Sequence, residues 1–236
     1  MNRLYLGKEY DVMLKILLTG ITGMLGQALE NVWKNKFLLF GTASSQQNRN
    51  GICSNVPFLP FNLESDDYSQ LKNFCDPDII INCAAITDLF LCEKDDVYAY
   101  KINSYAVQKI ALTFPSAYII QISTDAVFGR NTIFPDEMAA PEPFSIYGKS
   151  KFEGEKLLLL NSQSSVILRT TIVGTGGHRF GMSLAEWILN DLNSGKNINL
   201  YSDALFTPIS IWDFAEILEW CIDKRPRGIL HAAGSE

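Results

Sequence analysis

Short apolar runs alternate with longer amphipathic segments along most of the chain. Residues 14–19 form an apolar run that ends at Gly20, which is typical of a buried parallel strand. Residues 23–34 then repeat apolar side chains at the spacing of a helix with one buried face. The same alternation predicts strands at residues 37–41, 56–63, 78–84, 117–123 and 165–169, and helices at residues 65–74, 93–112 and 147–160. Strands and helices in this order predict an α/β fold, a doubly wound parallel sheet with helices on both faces.

Two stretches, residues 130–144 and 173–210, interrupt this alternation with proline, glycine and polar residues. Segments of this kind lie above the carboxyl edge of a parallel sheet, where ligands bind. We therefore expect residues 13–172 to form the cofactor-binding domain and residues 173–236 to contribute mainly to a small, discontinuous and shortened substrate lobe. Residues 1–12 are expected to be an N-terminal extension. The helix at 65–74 is expected to use Ser65 as its N-cap.

Composition and charge exclude several classes of protein. The chain has 236 residues, of which 47% are hydrophobic and 19% charged, which is ordinary for a globular domain and unlike a disordered chain. A net charge of −6 provides no basic surface for nucleic acid, and no apolar run approaches the ~20 residues that span a bilayer. The five cysteines form no C-x-x-C pair, which favours reduced thiols in a cytoplasmic protein over disulfides or a metal site.

A glycine-rich turn joins the first predicted strand to the first predicted helix. Glycines at every third position permit a tight turn, let the backbone approach a pyrophosphate, and allow close packing of helix on strand. A helix-opening turn can use glycine for steric reasons alone, but the position of this one favours a dinucleotide site. The residues expected to contact the cofactor here are Gly20, Thr22, Gly23, Met24, Leu25 and Gly26.

The end of the second predicted strand bears on the choice of cofactor. An Asp or Glu there would bind the adenosine ribose and favour NAD. This chain has no carboxylate at that place; Ser44 and, soon after, Arg49 can accept a 2′-phosphate. The stretch could also be a plain polar loop. We expect NADP(H) as the favoured cofactor and keep NAD(H) as the alternative.

A hydroxyl, a phenol and an amine follow in the order that a carbonyl reduction needs. Thr124 ends the fifth predicted strand, and Tyr147 and Lys151 lie four residues apart on the next predicted helix. Tyr147 could donate a proton, the charge of Lys151 would favour the phenolate, and Thr124 could orient the carbonyl. Tyr105 and Lys109 have the same spacing but precede that strand, so we interpret Tyr105 as a packing or surface residue.

Four segments carry a family resemblance. They are residues 19–26 (TGITGMLG), 82–88 (NCAAITD), 123–129 (STDAVFG) and 147–155 (YGKSKFEGE). Together they resemble the extended short-chain dehydrogenase/reductases, which have a Rossmann-like fold, and within them the dTDP-4-dehydrorhamnose reductases. The resemblance runs from about Leu14 to the end of the chain.

The resemblance implies reduction of the 4-keto group of a deoxysugar carried by a nucleoside diphosphate. Tyr147 would supply the proton, Lys151 would also hold the nicotinamide ribose, and Thr124 would steady the carbonyl. Asn103 would support Lys151 through solvent, although a helix residue with a satisfied side chain is an equal interpretation. The remaining expected cofactor contacts are Asn62, Leu63, Ala84, Ala85 and Thr87, and the expected substrate contacts are Thr87, Thr124, Asp125 and Tyr147. A homodimer is also compatible with the resemblance.

Two departures from the family keep other functions in view. Ala126 stands where family members usually carry Tyr, and relatives continue beyond Glu236. A sugar-nucleotide dehydratase would need a glutamate at position 126 as a further acid or base, so its absence argues against that class. An epimerase stays open. The alternative from another class is a non-catalytic, NADP-binding regulatory subunit, similar to the β subunit of methionine adenosyltransferase.

Overall fold

The computed structural model describes residues 13–44, 55–129, 132, 134–175, 183–200 and 206–234, and the backbone of residues 4, 5, 8 and 9. Its strands are β1 (Leu4–Tyr5), β2 (Lys8–Glu9), β3 (Lys15–Thr19), β4 (Leu38–Ala43), β5 (Phe58–Pro60), β6 (Ile79–Asn82), β7 (Tyr118–Thr124), β8 (Ser165–Thr170), β9 (Ile172–Val173), β10 (Ile209–Ser210) and β11 (Gly228–Ala232). Its helices are α1 (Met24–Trp33), α2 (Ser69–Phe74), α3 (Leu89–Lys94), α4 (Asp96–Tyr100), α5 (Ala106–Thr113), α6 (Ile146–Asn161), α7 (Leu184–Asn193) and α8 (Ile211–Lys224). A π-helical turn spans Lys101–Tyr105, and a 3-10 turn spans Asp125–Val127.

Seven of the strands form one parallel sheet in the order β11-β8-β7-β6-β3-β4-β5. The predicted α/β fold, Rossmann-like with a parallel sheet, is therefore confirmed. The chain enters the middle of this sheet at β3, runs outward through β4 and β5, and then returns to β6 on the other side of β3. The crevice between β3 and β6, at the carboxyl ends of these strands, is the place where such sheets bind ligands.

The core has two halves, one on each face of the sheet. On one face α1 and α8 pack together, with Trp33 and Phe214 fully buried. On the other face lie α2, α5 and α6, which bury Leu71, Ile110 and Leu158. Burial of one large apolar side chain stabilises the folded state by about 1.5–3 kcal/mol, so the apolar stripe of each helix is what mainly holds it on the sheet.

The predicted long helix at residues 93–112 is wrong as a continuous element. The structure has α3, α4, the π-helical turn and α5 in its place. The break falls at Asp95, whose carboxylate accepts a hydrogen bond from the backbone N–H of Tyr98 at 2.9 Å and caps α4. A side-chain acceptor placed there starts a new helix instead of continuing the old one.

The predicted N-cap at Ser65 is also wrong, because α2 begins four residues later, at Ser69. The Ser65 hydroxyl instead accepts from the backbone N–H of Asp67 at 3.1 Å and so closes a local turn. The strand predicted at residues 56–63 is shorter in the structure and covers only β5.

The last strand belongs to the main sheet, and the last helix packs on one face of that sheet. We expected residues 173–236 to lie mainly in a substrate lobe, but β11 pairs along β8, with His231 beside Arg169, and α8 packs on α1. Trp33 donates its indole N–H to Glu219 at 2.7 Å and links the two helices. Among the described residues, no helix is both long and apolar enough to span a membrane.

Candidate active site

The glycine-rich turn packs directly against the carboxyl end of β6. Gly20 has a φ of +62°, a conformation that favours glycine, and a Cβ built on it would lie 2.9 Å from the backbone of Ala84. A Cβ on Gly26 would lie 2.5 Å from the carbonyl oxygen of Gly20. Because neither position has room for a side chain, the turn and the end of β6 form one continuous backbone surface.

The first turn of α1 opens onto this surface. Gly23 is the N-cap and provides no side-chain acceptor, so the amides of Met24, Leu25 and Gly26 have no side-chain cap in the described structure. Helix N-termini of this kind bind phosphate groups. The side chains of Met24 and Leu25 pack into the core, so these two residues would contact a ligand through their amides. Thr22 is buried, and its carbonyl accepts from Gln27 at 2.7 Å.

A row of buried polar side chains crosses the sheet beneath the crevice. The Thr19 hydroxyl donates to Asn82 Oδ1 at 2.5 Å, and Asn82 Nδ2 donates to Gln121 Oε1 at 2.7 Å. Gln121 Nε2 donates in turn to the carbonyl of Ile122 at 2.9 Å. The row joins β3, β6 and β7, and it ends at the carbonyl that also receives Lys151.

Lys151 is buried, with 4% of its surface exposed. Its Nζ donates to the carbonyl oxygen of Ile122 at 2.6 Å. Burial lowers the pKa of Lys151 to about 8, and the carboxylate of Glu155 opposes this shift. The thiol of Cys83, directly after β6, also opposes the fall in the pKa of Lys151. An ammonium has three N–H donors, of which the Ile122 carbonyl takes one.

Tyr147 lies one helical turn before Lys151 and is partly buried. Burial raises the pKa of Tyr147 to about 12; a hydrogen bond with the Thr124 side chain opposes the shift, and the charge of Asp125 adds to it. The sequence predicted that Lys151 would lower this pKa. The outcome differs because the phenol is desolvated and the ammonium of Lys151 is directed to a backbone carbonyl. Thr124 also accepts from the N–H of Ala126 at 3.1 Å and lies 3.2 Å from Asp125 Oδ1.

Asn103 lies in the π-helical turn, 1% exposed. Its Oδ1 accepts from the N–H of Ile86 at 2.9 Å, and its Nδ2 donates to the Ile86 carbonyl and to the Ser150 hydroxyl, both at 3.0 Å. Asn103 therefore ties the loop after β6 to the helix that carries Tyr147 and Lys151. Its side chain is satisfied by these bonds, as one of the two interpretations expected.

Some expected site residues lie away from this group or outside the described chain. Asn62 is exposed and bonds to Glu64, and Leu63 is buried under α2 and α5. Ser44 is exposed at the end of β4, and Arg49 lies outside the described residues. Ala84 and Ala85 are partly exposed beside the glycine turn, and Thr87 is exposed beyond them. Tyr105 is 49% exposed, which agrees with a surface residue.

Sequence reasoning missed a buried ion pair next to Lys151. Glu155 and Arg169 are 1% and 3% exposed, and Arg169 donates to both carboxylate oxygens of Glu155. The Ser123 hydroxyl donates to the same carboxylate at 2.5 Å. The available signal was the position of Glu155, four residues after Lys151 and eight after Tyr147. Two open surface cavities, of about 310 and 540 Å³, are lined by residues outside this group.

Comparison with known proteins gives a family and several relatives. A family profile described as RmlD substrate binding domain matches residues 14–236. The spore coat polysaccharide biosynthesis protein SpsK of Bacillus subtilis is 36% identical over 163 residues, 67% of this chain and 56% of that protein. The β subunit of methionine adenosyltransferase 2 of Danio rerio is 33% identical over 167 residues, 70% and 49% of the two chains. The dTDP-4-dehydrorhamnose reductase of Aggregatibacter actinomycetemcomitans is 31% identical over 218 residues, 90% and 68%. The chain thus spans about half the length of the first two relatives.

Solved structures resemble the fold over nearly its full extent. A hypothetical dTDP-4-dehydrorhamnose reductase from Sulfolobus tokodaii superposes with a TM-score of 0.80 at 29% identity, covering 94% of this chain and 77% of that one. The dTDP-4-dehydrorhamnose reductase of Bacillus anthracis, solved in complex with NADP, gives a TM-score of 0.81 at 23% identity, covering 95% and 76%. At that lower identity the likeness concerns the fold alone.

Proposed function

The chain belongs to the RmlD substrate binding domain family, and from this premise we propose that it is an NAD(P)H-dependent oxidoreductase. The proposed reaction is reduction of the 4-keto group of a deoxysugar attached to a nucleoside diphosphate. One observation carries the proposal: Thr124 bonds to Tyr147 at the end of β7, with Lys151 buried one helical turn away. The relatives named dTDP-4-dehydrorhamnose reductase support the choice of substrate class.

The glycine turn fits a dinucleotide. A Cβ at Gly20 would fill the space where the turn meets Ala84, and the first amides of α1 carry no side-chain cap in the described structure. Gly20, Gly23 and Gly26 would let a pyrophosphate approach the backbone, as such turns do. We propose NADP(H) as the preferred cofactor and NAD(H) as the alternative, because β4 ends at Ala43 and the residue that follows is Ser44, which is not a carboxylate.

When bound, a nicotinamide cofactor would supply a hydride for C4 of the sugar. With a pKa raised to about 12, Tyr147 holds its proton at neutral pH and can donate it to the oxygen of the former ketone. The Thr124 hydroxyl orients that oxygen, and its hydrogen bond to the phenol stabilises the phenolate that remains. Lys151 gives one N–H to the Ile122 carbonyl and would use its other N–H donors to hold the nicotinamide ribose. The product is an alcohol, with the hydride on carbon and the phenol's proton on oxygen.

The test is turnover with a dTDP-4-keto-6-deoxyhexose generated in situ, followed by the loss of NADPH or NADH absorbance. We expect oxidation of the cofactor, and a fall in kcat of about 100-fold or more in Tyr147→Phe with cofactor affinity retained. Tyr105→Phe is the matched control, because Tyr105 belongs to the other Tyr-x-x-x-Lys pair and is exposed. Equal loss in both variants would contradict the assignment of Tyr147.

The second candidate is a regulatory subunit that binds NADP without reducing a sugar. The 33% identity with the methionine adenosyltransferase β subunit favours it. The same assay separates the two functions. Tight NADPH binding without turnover of any 4-keto nucleotide sugar would favour the regulatory subunit over the enzyme.

A further inference from the structure

Three consecutive residues of β7 hold three residues of α6. Thr124 bonds to Tyr147, the carbonyl of Ile122 accepts from Lys151, and the hydroxyl of Ser123 donates to Glu155. On α6 the three partners lie four residues apart, so they share one face of the helix. Glu155 thus stands third in a row whose first two members are the proposed proton donor and its lysine.

Glu155 is held more tightly than the other two. Arg169 Nη2 donates to Oε2 at 2.7 Å, and Arg169 Nε donates to Oε1 at 3.1 Å. The guanidinium itself lies over the ring of Phe128, with 5.0 Å between its central carbon and the ring centroid. All of the polar members of this group are buried, Glu155 to 1% exposure, so the position of its carboxylate is fixed by β7 and β8 together.

The charges around Lys151 come from few elements. On α6 the charge is the carboxylate of Glu155, and the thiol of Cys83, directly after β6, also acts on the pKa of Lys151. Arg169 on β8 faces Glu155, whereas Asp125 and Cys92 act on Tyr147. Burial disfavours the ammonium of Lys151, and Glu155 is the carboxylate of the described residues that opposes this effect.

We propose that Glu155 is a positioning residue for Lys151: clamped by Ser123 and Arg169, its carboxylate sets the face of α6 against the end of β7 and keeps the ammonium charged beside Tyr147. The inference deepens the proposed reductase function and rests on it for its catalytic meaning. Its electrostatic part, the coupling of Glu155 to Lys151, concerns the protein without substrate and can be measured there.

The test compares two substitutions that separate the charge of Glu155 from the length of its side chain. Glu155→Gln keeps the size of the side chain and removes the charge, whereas Glu155→Asp keeps the charge and removes a methylene. The pKa of Lys151 is measured in the whole protein by NMR of 13Cε-labelled lysine, with the resonance assigned through Lys151→Arg. We expect Glu155→Gln to shift this pKa downward by at least about half a unit and Glu155→Asp to leave it nearer the wild-type value.

The pH profile of turnover provides the second readout. We expect the alkaline fall of kcat to move to lower pH in Glu155→Gln by the same amount, and to stay in place in Glu155→Asp. Should Glu155→Gln fail to fold because Arg169 loses its partner, the double variant E155Q/R169Q removes both charges. The downward shift is then expected to persist but to be smaller, because loss of the positive guanidinium by itself favours the ammonium of Lys151. A purely structural Glu155 would give the reverse order, with Asp more damaging than Gln and the Lys151 titration unmoved; that result overturns the inference. Absence of turnover in the wild type, with the NMR shift present, would overturn the reductase function and leave the coupling standing.

Discussion

At the scale of single residues, Gly20 shows how closely the turn approaches the sheet. Its φ of +62° and its distance from Ala84 make two separate demands on the residue, one conformational and one steric. Gly195 has nearly the same backbone, with a φ of +67°, but a Cβ there would meet nothing within 4 Å among the described residues. The two glycines therefore separate the cost of the left-handed conformation from the cost of the contact.

We expect Gly195→Ala to lower the free energy of unfolding by about 1–2 kcal/mol, the cost of the left-handed conformation for an alanine. We expect Gly20→Ala to lower the free energy of unfolding by more than this, because the added methyl meets the backbone of Ala84. We also expect this variant to lose NADPH binding. Denaturant unfolding and cofactor titration measure the two effects. Equal losses of stability in the two variants, with cofactor binding intact, would show that the turn does not press on β6.

Lys151 provides a pH test at the same scale. Its pKa falls from an ordinary 10.5 to about 8 on folding, so between these pH values the unfolded chain keeps a proton that the folded protein has lost. The stability of the wild type therefore rises with pH across this window, relative to a variant without the amine. We expect the stability advantage of Lys151→Met over the wild type to be largest at or below pH 8 and to shrink by about 3 kcal/mol by pH 10.5.

The matched control is Lys149→Met, since Lys149 is exposed on the same helix. Its stability difference from the wild type should not vary in this way. Urea unfolding at several pH values measures all three proteins. A difference for Lys151→Met that is constant with pH would mean that the amine titrates alike in the folded and unfolded states.

At the scale of elements, α6 is fixed near its start and at its middle by close contacts between backbones. A Cβ on Gly148 would overlap the carbonyl oxygen of Ala126, and one on Gly154 would overlap that of Asn103. Helix α6 therefore lies directly on the 3-10 turn after β7 and on the π-helical turn. These contacts set the height of Tyr147 and Lys151 above the end of β7.

We expect Gly148→Ala to push the start of α6 away from Ala126, to cost about 1–3 kcal/mol of stability, and to lower kcat more than cofactor affinity. Lys149→Ala, one position along and exposed, is the control and should stay near wild type. Thermal unfolding and steady-state kinetics check both. A Gly148→Ala protein with wild-type kcat would show that the close contact does not position Tyr147.

At the scale of the whole molecule, β11 completes one edge of the sheet, and α8 packs beside α1 on one face of it. Phe214 is fully buried on α8 within the same cluster as Trp33, whereas Trp212 is 56% exposed on that helix. We expect Phe214→Ala to cost roughly 3–5 kcal/mol and Trp212→Ala to change stability little. Unfolding is monitored by circular dichroism and by loss of NADPH binding. We expect both signals to show one cooperative transition, with its midpoint lowered in Phe214→Ala. Two transitions, with cofactor binding lost only in the second, would mean that residues 211–232 unfold as a separate unit.

The sequence by itself determined the α/β alternation, the glycine turn and the pairing of Tyr147 with Lys151. These features depend on local spacing, because a strand repeats every two residues, a helix every 3.6, and residues four apart share a helix face. For this reason the sequence alone could assign Gly20 to the turn between the first strand and the first helix, and Lys151 to a later helix. Their roles in a reaction stay predictions.

Only the tertiary structure decided which distant residues meet. The pairing of β11 with β8, the row from Thr19 to Gln121, and the ion pair of Glu155 with Arg169 join residues on different elements. Such contacts depend on the order and register of strands and on the depth at which a helix packs, and spacing along the chain does not specify either. Burial also reversed the expected direction of the Tyr147 pKa shift, because desolvation depends on everything packed around a group and not on its neighbours in sequence.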